Sequence, residues 1–426
     1  MKNLVEELTW RGMVHDITPG TEAHLLIGQA SVYVGFDPTA DSLHVGNLIP
    51  IMMLVHAQRS GHKPYALVGG ATGMIGDPSG KSQERNLLDL EQINFNLNAQ
   101  KEQLKQFLNF EKGSNKAEIV NNYDWFKKIS LLDFIRDAGK HITVNYMLAK
   151  DSVKKRLETG LSFTEFTYQL IQGYDFFWLK KNENVTLQMG GADQWGNITT
   201  GTELIRRMGA GEAYAMTCPL MTKADGGKFG KTESGTIWLD REKTSPYEFY
   251  QFWFNASDED VLKYLKTFTL YTQDELTELE HEHQKAPHER AMQKKLGEYL
   301  TKKVHSDEDF EMALKASSIL FGNSTAQDLK SLNEQTFLAV FKGVSQAEIS
   351  KEKIKNGIDI IELLSTETDF LSSKGDARRN LQQNAISVNK EKVDEKFILN
   401  SDHLINEKYI LLQKGKKNYF VVKIID

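Results

Sequence analysis

The fold is decided by the stretch Ser31-Val-Tyr-Val-Gly-Phe-Asp-Pro-Thr-Ala-Asp-Ser-Leu-His-Val-Gly-Asn47, which begins as a short apolar strand and leads into a helical pattern. That helical pattern runs over about residues 43–59, and Asp41 or Ser42 is placed to cap it. A second strand is predicted at 65–68, directly before a glycine-rich segment. Strands that alternate with helices predict a mostly parallel sheet, on which ligands bind at the carboxyl ends of the strands.

The rest of the chain divides into regions of different pattern. Helical segments are predicted over much of 90–180, and a further buried strand at 185–189 leads to a helix that opens near Asp193. Residues 247–320 are helical and charged, 321–350 are polar and typical of a connector, and a small unit with helix, turn and strand signals follows from about 354. The chain of 426 residues is long enough for two to four domains.

The composition is that of an ordinary soluble protein, with 40% hydrophobic and 26% charged residues. No apolar stretch approaches the roughly 20 residues that span a bilayer, so we expect no membrane segment. The lone Cys218 excludes an internal disulfide and fits a reducing cytoplasm. The net charge of −6 argues against an overall basic coat, but residues 370–426 carry 11 Lys and Arg against 7 Asp and Glu. This excess indicates either a local nucleic-acid surface or an ordinary solvated face.

The segment 37–47 has the properties of a phosphate site, because it joins a strand to the start of a helix. Backbone N–H groups at a helix N-terminus carry partial positive charge, and Gly46 lets a nucleotide approach the backbone. His44 and Thr39 offer side-chain donors to phosphoryl oxygens. The alternative is a capped helix with an incidental histidine.

The glycine-rich segment 69–81 suggests a P-loop, but the spacing fails because Ile75 stands where a glycine is needed. Asp77 within it is a carboxylate suited to an ammonium group, or alternatively a turn-forming residue before proline.

Tyr168, Gln172 and Asp175 share one face of a predicted helix at i, i+4 and i+7. They line a polar pocket or form an outward-facing polar stripe.

Two later segments combine glycine with polar residues. Residues 188–197 follow a strand and enter a helix, and Asp193 there could accept from ribose hydroxyls or merely belong to a capped helix start. Residues 223–235 form a loop rich in glycine and lysine, which either brings ammonium groups to a pyrophosphate or is a flexible surface loop.

The five segments together resemble the class I aminoacyl-tRNA synthetases. Residues 37–47 resemble the HIGH signature of that family and Lys228-Phe-Gly-Lys-Thr232 resembles its KMSKS signature. Residues 67–81, 190–198, 236–240 and 245–249 look like the bacterial tyrosyl-tRNA synthetases in particular. Ser373-Lys-Gly-Asp-Ala-Arg-Arg379 lies in a unit similar to S4-type RNA-binding modules. The resemblance is dense over roughly 30–255 and looser towards the C-terminus.

The resemblance implies three sets of ligand-binding residues. For tyrosine, Tyr33 and Asp175 would contact the phenolic hydroxyl, and the α-ammonium group and the rest of the pocket would involve Asp77, Tyr168, Gln172 and Gln188. The catalytic groups, which act on the phosphates, would be His44, Thr39, Lys81, Arg85, Lys228 and Lys231. The ATP site would comprise Gly35, Asp37, Gly46, Asn47, Gly191, Asp193, Gln194 and Lys231. The RNA contacts would be Lys374, Arg378, Arg379, Lys414, Lys416 and Lys417.

Two departures from the signatures stand out. Asn47 replaces a histidine of HIGH, and Phe229, Gly230 and Thr232 replace Met and both Ser residues of KMSKS. The amide of Asn47 can still bond a ribose oxygen, and the two lysines, which carry the charge, remain.

The resemblance also predicts the architecture and partners. We expect a Rossmann-like α/β catalytic domain with a helical dimer-interface insertion at 1–222, a KMSKS-type loop and connector at 223–247 and an α-helical anticodon-binding domain at 248–320. A linker at 321–353 and an S4-like α+β RNA-binding domain at 354–426 follow. ATP would be a substrate accompanied by Mg²⁺, with no protein-bound metal site. The partners would be tyrosine, its tRNA and a second copy of the chain, in the cytoplasm and without a membrane.

Two alternatives remain at this point. A tryptophanyl-tRNA synthetase would share the fold, although Tyr33 with Asp175 favours a phenol ligand. An RNA-binding scaffold without catalysis is the second, and the presence of His44, Lys228 and Lys231 argues against it.

Overall fold

The structure is a computed structural model that describes residues 3–79, 88–158, 160–232, 235–321, 325–415 and 418–426. Contacts within the chain divide it into two compact units. The first unit comprises Met1–Asp240 and Ala256–Leu296, and the second comprises Arg241–Asn255 and Gly297–Asp426. The finer division predicted from the sequence, with boundaries after residues 222, 247, 320 and 353, stays a prediction.

Strands alternate with helices through the first 240 residues. In chain order the elements are α1 (Leu4–Trp10), α2 (Thr21–Ile27), β1 (Ser31–Phe36), α3 (Leu48–Arg59), β2 (Lys63–Val68), α4 (Leu90–Lys105), β3 (Glu118–Asn121), α5 (Tyr123–Phe126), α6 (Leu131–Asp137), α7 (Val144–Leu148), α8 (Asp151–Leu157), α9 (Phe163–Glu183), β4 (Val185–Gly191), α10 (Trp195–Arg207), β5 (Tyr214–Cys218), β6 (Lys231–Thr232) and β7 (Gly235–Thr236).

Five of these strands form one sheet in the order β3-β2-β1-β4-β5, and all four neighbouring pairs are parallel. β1 and β2 are apolar and almost fully buried, as expected for strands covered on both faces. From the central β1 the chain forms β2 on one side and β4 on the other. The sheet therefore reverses its order at β1, and the carboxyl end of β1 is where such folds bind ligands. The predicted Rossmann-like sheet is confirmed.

The predicted start of the helix after β1 was wrong. α3 begins at Leu48, and a 3₁₀ turn at Val45–Asn47 precedes it. His44 has an extended backbone and its side chain accepts from the backbone N–H of Gly46, so His44 caps the turn in place of Asp41 or Ser42. The Ser42 hydroxyl instead donates to the backbone carbonyl of Leu43.

The helix α9 carries part of the predicted site and has 21 residues. Ser162 caps its N-terminus by accepting from the N–H of Glu165, and Asn184 ends it in the left-handed conformation with φ 51°. α9 packs closely against α10, because a Cβ on Gly201 of α10 would lie 2.9 Å from the Phe176 ring of α9. β3 was not predicted, since its four residues are only half-buried and polar at both ends.

Helices dominate the chain after residue 240, and a second sheet follows. The elements are α11 (Pro246–Phe254), α12 (Asp258–Phe268), α13 (Gln273–Lys285), α14 (Ala291–Val304), α15 (Asp307–Phe321), α16 (Ala326–Lys330), α17 (Glu334–Val340), β8 (Gln346–Ser350), α18 (Lys351–Lys355), β9 (Ile358–Asp359), α19 (Ile360–Glu362), α20 (Lys374–Gln382), β10 (Ile386–Val388), β11 (Glu391–Lys392), β12 (Ile398–Leu399), β13 (Tyr409–Lys414) and β14 (Asn418–Ile425).

The second unit contains a mixed sheet in the order β11-β10-β13-β14-β8, in which only the β14–β8 pair is parallel. β8, α16 and α17 lie in the stretch that the sequence indicated as a connector. Several apolar residues of this stretch are well buried, as Leu332, Phe337 and Ile349 are each at most 2% exposed. Polar residues between these short elements hid the core positions.

Candidate active site

A cavity of about 400 Å³ lies at the carboxyl ends of β1 and β4, where the sheet reverses its order. β1, α9 and β4 contribute to its wall, together with the loops that follow β1, β2, β4 and β5. Fifteen of the residues predicted for the tyrosine and nucleotide sites line it: Tyr33, Gly35, Asp37, Thr39, His44, Gly46, Asn47, Asp77, Tyr168, Gln172, Asp175, Gln188, Gly191, Asp193 and Gln194.

Tyr33 presents a buried hydroxyl group to this cavity. The residue is 1% exposed, and its ring packs against Phe176 at 5.3 Å between centroids. The hydroxyl has no hydrogen-bond partner among the described residues. Burial, reinforced by the nearby Asp175 carboxylate, raises the pKa of Tyr33 well above its ordinary value, so the hydroxyl stays protonated and can donate.

Asp175 lies on α9 and is held by two side chains that follow β3. Its Oδ2 accepts from Nδ2 of Asn122 at 3.0 Å, and its Oδ1 accepts from Nε1 of Trp125 at 2.9 Å. Burial raises the pKa of Asp175 to about 8, although the two donors by themselves lower this pKa. Asn122 and Trp125 were not predicted as site residues, because they follow β3, a strand that the sequence pattern does not indicate.

The polar face of α9 lines the cavity and is not an outward-facing stripe, which were the two alternatives left open by its spacing. The Tyr168 hydroxyl donates to Oδ2 of Asp37 at 2.7 Å, and Thr72 donates to the other oxygen of Asp37 at 2.7 Å. The side-chain oxygens of Gln172 and Gln188 are buried without a hydrogen-bond partner in the described part of the chain. Polar atoms left unpaired inside a protein are costly, so these oxygens indicate that a ligand with donors completes the site.

Asp77 is a second buried carboxylate of the cavity. It accepts from the backbone N–H of Ser79 at 2.9 Å and from Nε2 of Gln194 at 2.7 Å. Burial, followed by repulsion from Asp37, raises the pKa of Asp77 to about 6. A cation bound beside both carboxylates would relieve that repulsion.

The turn at His44 forms the opposite side of the cavity. Nδ1 of His44 accepts from the N–H of Gly46 at 3.0 Å, which places the proton of a neutral ring on Nε2. The side-chain oxygen of Asn47 accepts from the N–H of His44 at 3.0 Å, so its NH₂ group remains to donate. A Cβ on Gly46 would lie 2.8 Å from the His44 ring, so only glycine fits this turn.

The loop after β4 places its polar groups around a glycine. A Cβ on Gly191 would lie 2.6 Å from Oδ1 of Asp193, so glycine keeps this stretch of backbone accessible to a ligand. Gln194 donates to Asp193 as well as to Asp77, at 3.2 and 2.7 Å. This side of the cavity therefore offers carboxylate acceptors to hydroxyl groups.

The predicted lysines lie outside the lining of the cavity. Lys228 and Lys231 are exposed, whereas Gly230 between them is buried. Gly230 has φ +77°, and a Cβ there would meet Val45 at 2.8 Å. The backbone of Ile237 joins the two segments, because its N–H donates to the Gly230 carbonyl and its carbonyl accepts from the Val45 N–H, both at 3.0 Å. The loop is thus joined to the His44 turn. Lys81 and Arg85 lie outside the described residues.

The predicted RNA contacts lie in the second unit. Lys374, Arg378 and Arg379 are exposed on α20, and Lys414 ends β13. Lys374 pairs with Glu362, and Arg379 pairs with Asp376 at 3.6 Å, which are surface ion pairs of small energy. Lys416 and Lys417 fall outside the described residues.

The described stretches of the chain lack two features, a metal-ligating cluster and a membrane-spanning helix. Within those stretches, no group of three or more His, Cys, Asp or Glu side chains is arranged to hold a metal ion. Among the helices of the described residues, none is both long and apolar enough to cross a lipid bilayer.

Comparison with known proteins gives consistent matches. The family model for tRNA synthetases class I (W and Y) matches residues 28–322, and the model for a tyrosine–tRNA ligase SYY-like C-terminal domain matches residues 336–422. The tyrosine–tRNA ligase of Flavobacterium johnsoniae is 60% identical over 100% of both chains. That of Cytophaga hutchinsonii is 59% identical over 99% of this chain and 100% of its own.

Solved structures agree with these matches. A C-terminally truncated mitochondrial tyrosyl-tRNA synthetase of Aspergillus nidulans is 30% identical, with a TM-score of 0.67, and the match covers 75% of this chain and 94% of that chain. A tryptophanyl-tRNA synthetase of Plasmodium falciparum is 15% identical, with a TM-score of 0.51 over 79% of this chain and 90% of its own, and shares the fold alone.

Proposed function

We infer the function from one premise: the chain belongs to the class I tRNA synthetases of tryptophan and tyrosine. It acts there as a tyrosine–tRNA ligase, the activity for which relatives with 58–60% identity over almost the full chain are named. It activates tyrosine with ATP to tyrosyl-adenylate and pyrophosphate and then transfers the tyrosyl group to the 3′ end of tRNA. The resemblance seen in the sequence is confirmed.

Tyrosine binds in the cavity with its phenol between Tyr33 and Asp175. The observation that carries this placement is the buried Tyr33 hydroxyl without a partner among the described residues, in the same lining as a carboxylate of fixed orientation. The phenol hydroxyl donates to Asp175 and accepts from Tyr33. Phenylalanine would leave both groups buried and unpaired, so the pocket favours tyrosine.

The α-ammonium group of tyrosine is placed beside Asp77, Tyr168 and Gln172. Asp77 supplies negative charge, and the buried Gln172 oxygen accepts an N–H that the described residues do not provide. Gln188 contributes a further acceptor in the same lining. This set of acceptors matches a cation with three donors.

ATP lies along the opposite side, with its ribose near Gly191 and Asp193 and its phosphates near the His44 turn. Gly46 permits close approach of the nucleotide, and the protonated Nε2 of His44 donates to a phosphoryl oxygen. Thr39, Asn47 and Gln194 add side-chain donors in the same lining. Mg²⁺ enters with ATP as part of the substrate, where phosphate oxygens and water satisfy its octahedral preference.

The reaction is an in-line displacement. A carboxylate oxygen of tyrosine attacks the α-phosphorus, the bond to the bridging oxygen breaks, and pyrophosphate leaves with that electron pair. The carboxylate is already ionised at neutral pH, so the protein supplies positioning and stabilisation of phosphoryl charge. Lys228 and Lys231, together with Lys81 and Arg85, meet the charge that develops on the pyrophosphate. In the second step a hydroxyl of the terminal ribose of tRNA attacks the tyrosyl carbonyl, and AMP leaves.

RNA binding is assigned to the second unit, through the exposed cations of α20 and the end of β13.

Homodimers and a cytoplasmic location complete the proposal. Exposed apolar side chains in the insertion support a subunit interface, namely Leu131, Leu132, Ile135, Val144 and Phe163. Sedimentation equilibrium tests the dimer, and a Leu132→Glu variant that sediments as the wild type would remove this face from the interface.

The decisive experiment is exchange of radioactive pyrophosphate into ATP. We expect exchange that depends on tyrosine and not on tryptophan or phenylalanine. Exchange with tryptophan would favour the sister enzyme. An absence of exchange with any amino acid would favour an RNA-binding scaffold.

A further inference from the structure

The lysine-bearing loop is attached to helix α12 through a buried carboxylate. Asp260 lies in the first turn of α12 and is 6% exposed. The backbone N–H of Ala224 donates to both of its oxygens, at 3.1 and 3.0 Å. The same carboxylate also accepts from the Ser257 hydroxyl at 3.0 Å, while Ser257 Oγ accepts from the N–H of Asp260, so Asp260 links the cap of α12 to the loop.

Two further contacts join the same helix to the same loop. Nζ of Lys263 donates to the carbonyl of Thr222 at 3.2 Å. The Phe229 ring stacks on Phe268 at 5.4 Å and 9° and lies 5.2 Å from Tyr264. Asp260, Lys263, Tyr264 and Phe268 therefore form one face of α12 that contacts the loop on both sides of its tip.

The tip of the loop has a defined backbone that is held by hydrogen bonds within the turn. The N–H of Lys223 donates to the Gly227 carbonyl, and that of Gly226 donates back to Lys223, at 3.1 and 2.9 Å. Thr222 and Lys228 face each other across an antiparallel bridge. Ala224 sits inside this turn, so fixing its N–H fixes the whole hairpin that leads to Lys228.

We propose that Asp260 is a positioning residue for tyrosine activation, because its carboxylate holds the lysine-bearing loop where Lys228 and Lys231 meet the pyrophosphate. This inference rests on the role proposed above for these two lysines. Both lysines are exposed and lie on long flexible side chains, so only the backbone beneath them can be ordered beforehand. A hydrogen bond to an ionised acceptor is among the stronger ones available for that purpose.

The test compares Asp260→Asn with Glu259→Gln, which removes the same charge from the neighbouring exposed position of α12. We expect Asp260→Asn to slow single-turnover formation of tyrosyl-adenylate about tenfold, the effect of losing one charge-assisted hydrogen bond. The Kd for tyrosine should change less than about twofold, since the tyrosine pocket is untouched. Trypsin should cleave the loop at Lys223 and Lys228 faster than in the wild type. Glu259→Gln should match the wild type in all three measurements.

A double-variant cycle separates positioning from general destabilisation. In a background that carries both Lys228→Ala and Lys231→Ala, Asp260→Asn should add less than about twofold, because both groups that it positions are already absent. A full tenfold effect in that background would overturn the proposal. So would an unchanged rate in Asp260→Asn, or a rate loss matched by an equal loss of tyrosine affinity.

A second variant covers the case in which Asp260→Asn does not fold. Lys263 is exposed on the neighbouring turn of α12, and Lys263→Met removes its bond to Thr222 without disturbing the core. We expect a smaller loss of rate, about threefold, with the same faster cleavage. If the wild-type protein showed no tyrosine-dependent exchange, the proposed function would be refuted. The comparison of trypsin cleavage between variant and wild type would still decide whether Asp260 holds the loop.

Discussion

At the scale of single residues, we propose that specificity for tyrosine depends on the Tyr33 hydroxyl. Tyr33→Phe keeps the ring that packs on Phe176 and removes only the donor. We expect kcat/KM for tyrosine to fall about tenfold, because the substrate loses one buried hydrogen bond. The value for phenylalanine should stay constant or rise. Exchange assays measure kcat/KM for both amino acids. An equal loss for tyrosine and phenylalanine would show that the Tyr33 hydroxyl does not bond the phenol hydroxyl.

Asp175 makes tyrosine binding depend on pH. Its pKa of about 8 in the empty cavity means that the carboxyl is largely protonated at pH 7. The phenol donates to the ionised form, so binding favours release of this proton, and the ionised fraction grows as pH rises towards 8. We expect tyrosine affinity to rise roughly 50-fold between pH 6 and pH 8, because the ionised fraction of Asp175 grows from about 1% to about half.

Calorimetry in two buffers of different ionisation enthalpy measures the protons released on binding. Asp77, with its pKa of about 6, is partly protonated near pH 6. It therefore also releases a proton there when the ammonium group of tyrosine binds beside it. In Asp175→Asn the release at pH 7 should largely disappear. An affinity that is flat over this range in the wild type would contradict the assignment of Asp175 as the acceptor.

Lys231 differs from these residues because its partner charge exists only during the reaction. We expect Lys231→Ala to slow adenylate formation roughly 100-fold, in the range seen when one transition-state donor is removed. The Kd for tyrosine should change less than about twofold, since Lys231 lies outside the lining of the cavity. Pre-steady-state kinetics separates the two quantities. A large loss of affinity with normal turnover would place Lys231 in the tyrosine pocket instead.

At the scale of an element, the position of α9 depends on one close contact. A Cβ on Gly201 would lie 2.9 Å from the Phe176 ring, one residue after Asp175 on the same helix. We expect Gly201→Ala to lower the free energy of unfolding by about 1–3 kcal/mol and to weaken tyrosine binding as α9 moves. Denaturant unfolding and calorimetry measure both effects.

Gly375→Ala is the matched control on another helix. Its added Cβ would have only Ser373 Oγ nearby, at 3.9 Å, so the change should be neutral or stabilising by up to about 1 kcal/mol. If Gly201→Ala, like this control, left the free energy of unfolding and the tyrosine affinity unchanged, the contact between α9 and α10 would not determine the position of the polar face of α9.

Local spacing predicted which residues share a face or end a strand, while most of the other candidate site residues were implied by the resemblance to the synthetase family. Tyr168, Gln172 and Asp175 followed from helical periodicity, and β1 followed from its apolar run. Asn122 and Trp125 did not, since they reach Asp175 only through a sheet pairing between β2 and β3 that no local pattern contains. The start of α3 was misplaced because a histidine acts as its cap, which composition does not favour.

At the scale of the whole molecule, we propose that activation and RNA binding belong to different units. Replacing Lys374, Arg378 and Arg379 together by alanine should leave pyrophosphate exchange unchanged, because these residues lie in the unit without the cavity. Charging should fall, and tRNA binding should weaken about tenfold or more at physiological salt, with a shallower dependence on salt concentration. Filter binding at several salt concentrations measures this. Normal charging would move the RNA contacts elsewhere.

Point substitutions test this division better than a cut at the predicted boundary after residue 353. β8 lies before that boundary, and its neighbour β14 lies after it. The helical core of the second unit also contains Tyr409 and Val421 from these last strands. Removal of residues 354–426 would therefore expose apolar helices as well as remove cations.

The unpaired oxygens around the cavity have a consequence for the life of the protein in the cell. Tyr33, Gln172 and Gln188 each keep a buried polar atom without a partner among the described residues until a ligand arrives. A ligand that binds only the folded chain stabilises it in proportion to the logarithm of its concentration. Starvation for the amino acid would thus leave a molecule that heat and proteases attack more readily, and a rich supply would lengthen its survival.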